Sequence, residues 1–303
     1  WNNDYTAYEA HFIPELLNMA ELQLYSYMLR HVPHGRKVTK LLHDVLAGKN
    51  KPRSNIFKSE LMGVRMSGEM CTSLGNGFTN LMVISFLAEK KGFECDGFVE
   101  GDDSIFGSDD GILTNDDFAS VGFISKIEIL NKPNTARFCQ MVYDKESLSM
   151  LSDPRRVIMK FPWTHSPQKD GGPKTMKRLL RAKALSLAYE APFCPILRKL
   201  AELGLRLTKG TKPLFTDEFR KPPDEEQVLA LFAKHDVTLS ARLIMNEAFK
   251  ISIHDQLLLE DFFDNIKQLG KFDLPVKLFT SRDYDHYRRF VCRYEAGEYS
   301  YLG

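Results

Sequence analysis

Apolar residues recur every fourth position from Phe12 through Leu16, Ala20 and Leu24 to Met28. That is the spacing of one helical face, so Ala10 to His31 is predicted to be an amphipathic helix with Pro14 in its first turn, backing a sheet. Pro33, Gly35 and a basic run to Arg53 break the pattern, with a short helix expected over Val38 to Leu46 and a strand over Ile56 to Met66. After Ser67-Gly68, apolar positions at Leu74, Phe78 and Leu81 predict a helix from Thr72 to Lys90-Lys91. Two cations in its last turn and Gly92 beyond supply the expected ending. Gly97 to Glu100 and Ser104 to Phe106 read as short strands on either side of Gly101-Asp102-Asp103, a hairpin with turn-forming residues at its tip. A helix over Asn115 to Val121, capped by Gly122, is followed by strands over Phe123 to Leu130 and Phe138 to Val142. Beyond Asp144 helical periodicity dominates: Lys174 to Glu190, Ile196 to Leu203, Asp224 to Lys234, and several stretches between Ser240 and Leu269. The pattern therefore predicts a mixed α/β (α+β) first half with antiparallel hairpins and a mainly helical second half, divided near Asp144.

Composition narrows this picture. The formal charge is +1 over 303 residues, but it is unevenly spread. Between Asp153 and Ala188 nine cations face two acids, whereas from Asp217 to Asp264 eleven acids face five cations. Five scattered cysteines without a Cys-x-x-Cys pair argue against a disulfide framework and a structural zinc site, and fit a reducing compartment. The most apolar stretch, Leu81 to Ala88, is far short of the roughly 20 residues a membrane-spanning helix needs. The chain opens at Trp1 with a chemically important segment starting at Asp4, so it is expected to be cut from a longer protein.

The candidate chemistry centres on carboxylates. Adjacent aspartates on a regular strand point to opposite faces, so two neighbours serve one metal cluster only where the backbone turns. The tip at Asp102-Asp103 is such a place. A Gly-Asp-Asp triplet alone is weak evidence, since chance places one in roughly one chain of this length in twenty. The stretch Ser67-Gly68-Glu69-Met70-Cys71-Thr72-Ser73-Leu74-Gly75-Asn76 sharpens it, fitting S-G-x-x-x-T-x-x-x-N one helix upstream of the aspartates. Thr72 and Asn76, four apart, share a helix face behind a flexible Ser67-Gly68 loop, so hydroxyl and amide groups can converge on a ribose.

This pair of segments, in this order, resembles motifs B and C of positive-strand RNA virus RNA-dependent RNA polymerases. The run Thr72 to Asn76 is most similar to tombusvirus-like and noda-like invertebrate virus enzymes. The resemblance implies a right-hand polymerase: a palm over 1–144, with part of the fingers inserted around 33–60, and a mainly helical thumb over 145–303. Asp4-Tyr5-Thr6-Ala7-Tyr8-Glu9 then looks like motif A, with Glu9 where an aspartate is usual. By resemblance Asp4, Asp102 and Asp103 hold two Mg2+ or Mn2+ ions, and Glu9, Ser67, Gly68, Thr72 and Asn76 bind the nucleotide and its ribose. Lys126, in a motif D-like stretch from Gly122 to Leu130, is the candidate general acid for departing pyrophosphate, with a plain surface lysine as the other reading. Phe138-Cys139-Gln140 resembles motif E, the primer grip. Lys174, Lys177, Arg178 and Arg181 are either a solvated helix face or a groove that tracks RNA phosphates.

The implied partners are template and nascent RNA, ribonucleoside triphosphates and an upstream fingers region carrying a basic motif F, without which the fragment is expected to be inactive. The implied setting is the host cytoplasm, at membrane-associated replication complexes engaged through other regions. Two rivals stay open: a reverse transcriptase, which shares the palm, and a non-catalytic, RNA-binding remnant of a viral polymerase.

Overall fold

A computed structural model describes residues 1–51, 58–66, 68–130, 136–162, 171–216, 221–222, 224–234, 236–270, 273–280 and 283. The chain divides into two compact units, Trp1–Cys139 and Gln140–Gly303.

The first unit is built on a four-stranded antiparallel sheet. It opens with β1 (Asn2–Tyr5) and a single 3-10 turn, Tyr8–His11, followed by α1 (Pro14–Met19), α2 (Glu21–Met28) and α3 (Gly35–Leu46). Next come β2 (Lys49–Asn50) and β3 (Leu61–Met62), which pair with each other, and the long α4 (Thr72–Lys91). The sheet is completed by β4 (Asp96–Glu100), β5 (Asp103–Gly107) and, after the short α5 (Asn115–Ala119), β6 (Ser125–Glu128). Its strand order is β4-β5-β1-β6. β7 (Arg137–Phe138) closes the unit.

Strand alternation decides which side of the sheet is covered. Trp1, Asn3 and Tyr5 of the β1 segment, with Ser104 and Phe106 of β5, turn inward. They join a core with Ile84 and Leu87 of α4 and with Tyr8, Phe12, Phe118 and Phe123. Around Tyr5 this core is aromatic: its ring lies 4.5 Å from Tyr8, 5.6 Å from Phe118 and 5.5 Å from Phe123. Buried α4 residues at 76, 79, 80, 83, 84, 87 and 88 recur at helical spacing. The helix ends where predicted, at Gly92 with φ +79°, a left-handed conformation that releases the chain toward β4. Thr114 and Asp117 form a reciprocal capping box on α5.

Three expected elements come out differently. The single helix over Ala10 to His31 is two helices broken at Ala20 (φ −116°, ψ −83°), the first starting only at Pro14 behind an extended Ile13. The break re-phases the chain so that Glu21 turns inward, where it pairs with the equally buried Arg65. Of the strand expected over Ile56 to Met66, residues 52–57 lie outside the described set and the rest forms only Leu61–Met62. The strand expected over Phe138 to Val142 is interrupted at Cys139 and Gln140, which have φ of +50° and +65°.

The second unit begins with an antiparallel hairpin of β8 (Met141–Asp144) and β9 (Ser149–Ser152), so helix takes over ten residues later than the expected division at Asp144. Among the described residues six helices follow: α6 (Pro154–Lys160), α7 (Pro173–Glu190), α8 (Leu197–Leu207), α9 (Glu225–Lys234), α10 (Leu239–Phe249) and α11 (Ile253–Asn265). Val142 and Leu151 from the hairpin share a core with Leu200, Met245, Leu259 and Phe263. The carboxylate of Asp144 is buried and accepts from the hydroxyls of Ser147 (2.5 Å), Ser240 (2.6 Å) and Thr238 (3.3 Å), and from the Glu146 and Ser147 amides. No helix among the described residues is long and apolar enough to cross a membrane.

Candidate active site

The uncovered face of the first unit's sheet carries the charged positions. Asp4 alternates with buried Asn3 and Tyr5 and is exposed. Its Cα partner on β6 is Lys126, also exposed. On the other side, β1 pairs with β5 through Asn2↔Ile105 and Asn3↔Ser104, a register that carried one residue further aligns Asp4 with Asp103. Asp103 is in turn the Cα partner of Glu100 on β4. Four strands thus contribute one transverse row, Glu100–Asp103–Asp4–Lys126: three carboxylates ending in one ammonium. Cross-strand neighbours of this kind stand about 5 Å apart at Cβ, close enough for like charges to destabilise one another.

Asp102 joins the row from the hairpin tip. Gly101, the first of two loop residues, has φ +59°, and Asp102, the second, does not have positive φ. That is the II′ pattern in φ, whose twist suits a tight hairpin and which demands glycine at the first position. Asp102 is exposed and Asp103 half-buried. Burial, followed by the charges of Asp102 and Asp4, raises the Asp103 carboxyl above the ordinary aspartate range, while a hydrogen bond with the Cys139 thiol pulls the other way. Burial and the neighbouring Asp103 and Glu100 charges push the Cys139 thiol up.

These carboxylates are hard oxygen donors of the kind divalent Mg2+ or Mn2+ prefers, and their mutual repulsion is what a bound cation relieves. Among the described residues no three His, Cys, Asp or Glu side chains already converge as a closed metal-ligand set. The donors fit a divalent ion chemically, in an open arrangement.

The turn is held from beneath. Asn80, fully buried in α4, directs Nδ2 at the backbone carbonyls of Gly101 (3.3 Å), Asp102 (3.1 Å) and Asp103 (3.5 Å). Its Oδ1 accepts from the Tyr5 hydroxyl at 3.0 Å. Gly77 faces the loop, where an added Cβ would just touch the Gly101 nitrogen at 3.4 Å.

One turn earlier on α4, Asn76 is buried and donates from Nδ2 to Glu9 at 3.4 Å, while the Tyr8 hydroxyl donates to its backbone carbonyl. Asn76 Oδ1 is buried and has no hydrogen-bond donor among the described residues. Thr72 opens α4, half-buried, with its hydroxyl donating to the Met66 carbonyl at 3.4 Å. Gly68 has φ +92° and open space around it, and Ser67 lies outside the described residues. Ser73 donates to Glu100 at 2.6 Å, tying the start of α4 to the end of β4. Just before this loop, Arg65 is anchored by Glu21 and by Glu69 at 2.9 Å, and Gly75 packs so tightly on Glu21 that an added Cβ would collide with its carboxylate.

The remaining expected residues divide. Phe138 packs against Phe98 with ring centroids 6.4 Å apart, and Cys139 bonds Asp103, so both sit beside the aspartate row. Gln140 is the first residue of the second unit. Of the four α7 cations, Lys174 and Lys177 are exposed. Arg178 donates to the Lys212 carbonyl at 3.3 Å, and Arg181 is engaged internally, with the Leu205 carbonyl at 3.1 Å and Glu225 at 2.9 Å. Sequence reasoning missed Tyr5, Ser73, Asn80 and Glu100. A second asparagine four residues after Asn76, on the same helix face, is the signal that was available for Asn80.

A sequence profile described as viral RNA dependent RNA polymerase matches residues 21–269. The matched span contains Thr72, Asn76, Asn80, the aspartate turn and Lys126, and begins after Asp4 and Glu9. No curated protein sequence gives a significant match.

Proposed function

Since the chain belongs to the viral RNA-dependent RNA polymerases, acting on RNA and nucleoside triphosphates by nucleotidyl transfer with divalent metal ions, we propose that the carboxylate row is where transfer occurs. The observation that carries this reading is the cross-strand register, which puts Asp4 and Asp103 on one uncovered face with Lys126 at its end. Asp4, Asp102 and Asp103 hold two Mg2+ or Mn2+ ions through their carboxylate oxygens. Such ions, when bound, activate the attacking 3′-hydroxyl and neutralise the triphosphate.

The chain's own residues perform the rest. Lys126, one strand over from Asp4, holds the proton that departing pyrophosphate takes up. Asn76 and Glu9 form the ribose reader: buried Asn76 donates to the Glu9 carboxylate and orients it, and half-buried Glu9 accepts from a 2′-hydroxyl. A deoxyribose leaves that acceptor unpaired, which disfavours deoxynucleotides and separates this reading from a reverse transcriptase. Phe138 and Cys139 form the primer grip, and Lys174 and Lys177 meet RNA phosphates. The first unit is the palm and the second the thumb, completed by an upstream fingers region, and the likeness of the Thr72 to Asn76 run supports a tombusvirus-like or noda-like lineage.

The test is template-directed incorporation of ribonucleotides by the intact polypeptide with Mg2+ or Mn2+. Asp102→Asn and Asp4→Asn are each expected to lower the rate by about three orders of magnitude while remaining folded. Undiminished incorporation by both variants overturns the assignment.

A further inference from the structure

The aspartate turn has few means of holding itself in place. Its loop is two residues long, Gly101 has no side chain, and Asp102 is exposed at the tip. Nor can the carboxylates brace it, since they repel one another. Besides the strand pairing and the bonds of Ser73 to Glu100 and Cys139 to Asp103, the turn backbone is held by the amide of Asn80, a fully buried polar side chain in a helix whose other core-facing residues include Val83, Ile84 and Leu87. A polar group so buried is destabilising unless it is hydrogen-bonded, and here each end is satisfied by a different part of the site.

The orientation of that amide is determined. Three carbonyl oxygens crowd one side, at 3.1 to 3.5 Å, and a carbonyl offers no proton, so the nitrogen must face them. Oδ1 therefore faces Tyr5, whose hydroxyl donates at 3.0 Å. Burial raises the Tyr5 phenol above its usual value and keeps it a donor. Tyr5 directly follows Asp4, and strand alternation sends the tyrosine inward as the aspartate points out. The backbone that carries Asp4 and the backbone that carries Asp102 and Asp103 are thus joined through one side chain.

We propose that Asn80, oriented by Tyr5, is a positioning residue that sets the separation between Asp4 and the Asp102-Asp103 turn, and so the affinity of the site for divalent cation. The inference rests on the assignment of those aspartates as metal holders. Because Asn80 grips carbonyls, it holds the turn without occupying a carboxylate oxygen. Asn76, one helical turn away, orients the ribose-reading Glu9 in the same assignment. α4 therefore carries nucleotide recognition and metal-site geometry on one face, a direct route by which a poorly seated ribose disturbs the aspartates.

The experiment compares wild type, Tyr5→Phe, Asn80→Ala and Asp102→Asn in the intact polypeptide, with Thr208→Val as a buried-hydroxyl control in the second unit. Two quantities are read: Mn2+ affinity by electron paramagnetic resonance without nucleotide, and the Mg2+ dependence of incorporation. Tyr5→Phe is expected to weaken Mn2+ binding and to raise the half-saturating Mg2+ about fivefold, the equivalent of one lost hydrogen bond. Nucleotide KM should stay within about twofold. Asn80→Ala should show larger shifts of the same kind, and Thr208→Val none. Tyr5→Phe, which removes one oxygen, decides the question if Asn80→Ala does not fold. Wild-type Mn2+ affinity and Mg2+ dependence in folded Tyr5→Phe overturn this inference while leaving the site assignment intact. Full Mn2+ binding and activity in Asp102→Asn overturn the assignment and the inference together.

Discussion

Asp103 and Asp144 are the same residue type treated in opposite ways. Asp144, in the second unit, is surrounded by donors: three hydroxyls and two backbone amides point at one carboxylate. Burial alone would raise its pKa, but the bonds from Ser147 and Ser240 outweigh burial and hold it below the ordinary range. Asp103, in the first unit, is half-buried with other carboxylates for neighbours and one weak thiol donor, and burial followed by those charges raises its pKa. A carboxylate with its lone pairs occupied is a structural node; one facing like charges keeps its lone pairs open, as the proposed metal-holding role requires. Perturbation in either direction is informative only when its cause is known.

The sharpest way to break this contrast is at Asp144. Asp144→Ala is expected to destabilise the protein by about 3 kcal/mol, since it strands several buried donors at once. The sign with pH follows from the depressed pKa. The contribution is fully present above the unfolded aspartate value of about 3.9 and is lost as pH falls through the lower folded value. The stability gap between wild type and variant, measured by urea unfolding, should therefore close as pH drops below about 4. A gap that does not change with pH would mean that the carboxylate charge is not what the hydroxyls hold.

A smaller effect is expected at the cation end of the row. Lys126→Met should slow incorporation about a hundredfold with little change in folding, the low end of what a positioned general acid contributes. A pH–rate profile that loses its alkaline limb in the variant would tie the effect to that ammonium, and an unaltered profile would reduce Lys126 to a surface residue. The smallest effect is on stability at Asp103 itself. Asp103→Asn relieves repulsion, so the metal-free protein should become slightly more stable, by at most about 1 kcal/mol given solvent screening. A clear loss of stability there would erase the distinction from Asp144.

Much of this arrangement was legible in the chain because its signals are local. The helix from Thr72 to Lys91 announces its end through Lys90, Lys91 and Gly92, and the Gly101 hairpin declares itself because a left-handed φ at that position requires glycine. What sequence could not supply was register. That Lys126 stands opposite Asp4, more than a hundred residues away, depends on how β6 slides along β1, and a one-residue slip would have sent it to the other face. The break at Ala20 was hidden for a related reason. It accompanies the pairing of buried Glu21 with the distant Arg65, which runs against the apolar periodicity of its own segment. Asn80 was overlooked because an asparagine among apolar helical positions looks like an isolated blemish until its partners on β1 and the β4–β5 turn are seen.

The contact between Gly75 and the Glu21 carboxylate constrains how these sequences can drift. A side chain gained at 75 pushes the glutamate carboxylate away from buried Arg65, and loss of the glutamate leaves that arginine without its buried partner. A first step at either position alone is therefore costly. Change begins more easily elsewhere, at Arg65 or in the spacing of α2 from α4, so the three residues should be inherited as a block, with intermediates between alternative blocks rare among descendants.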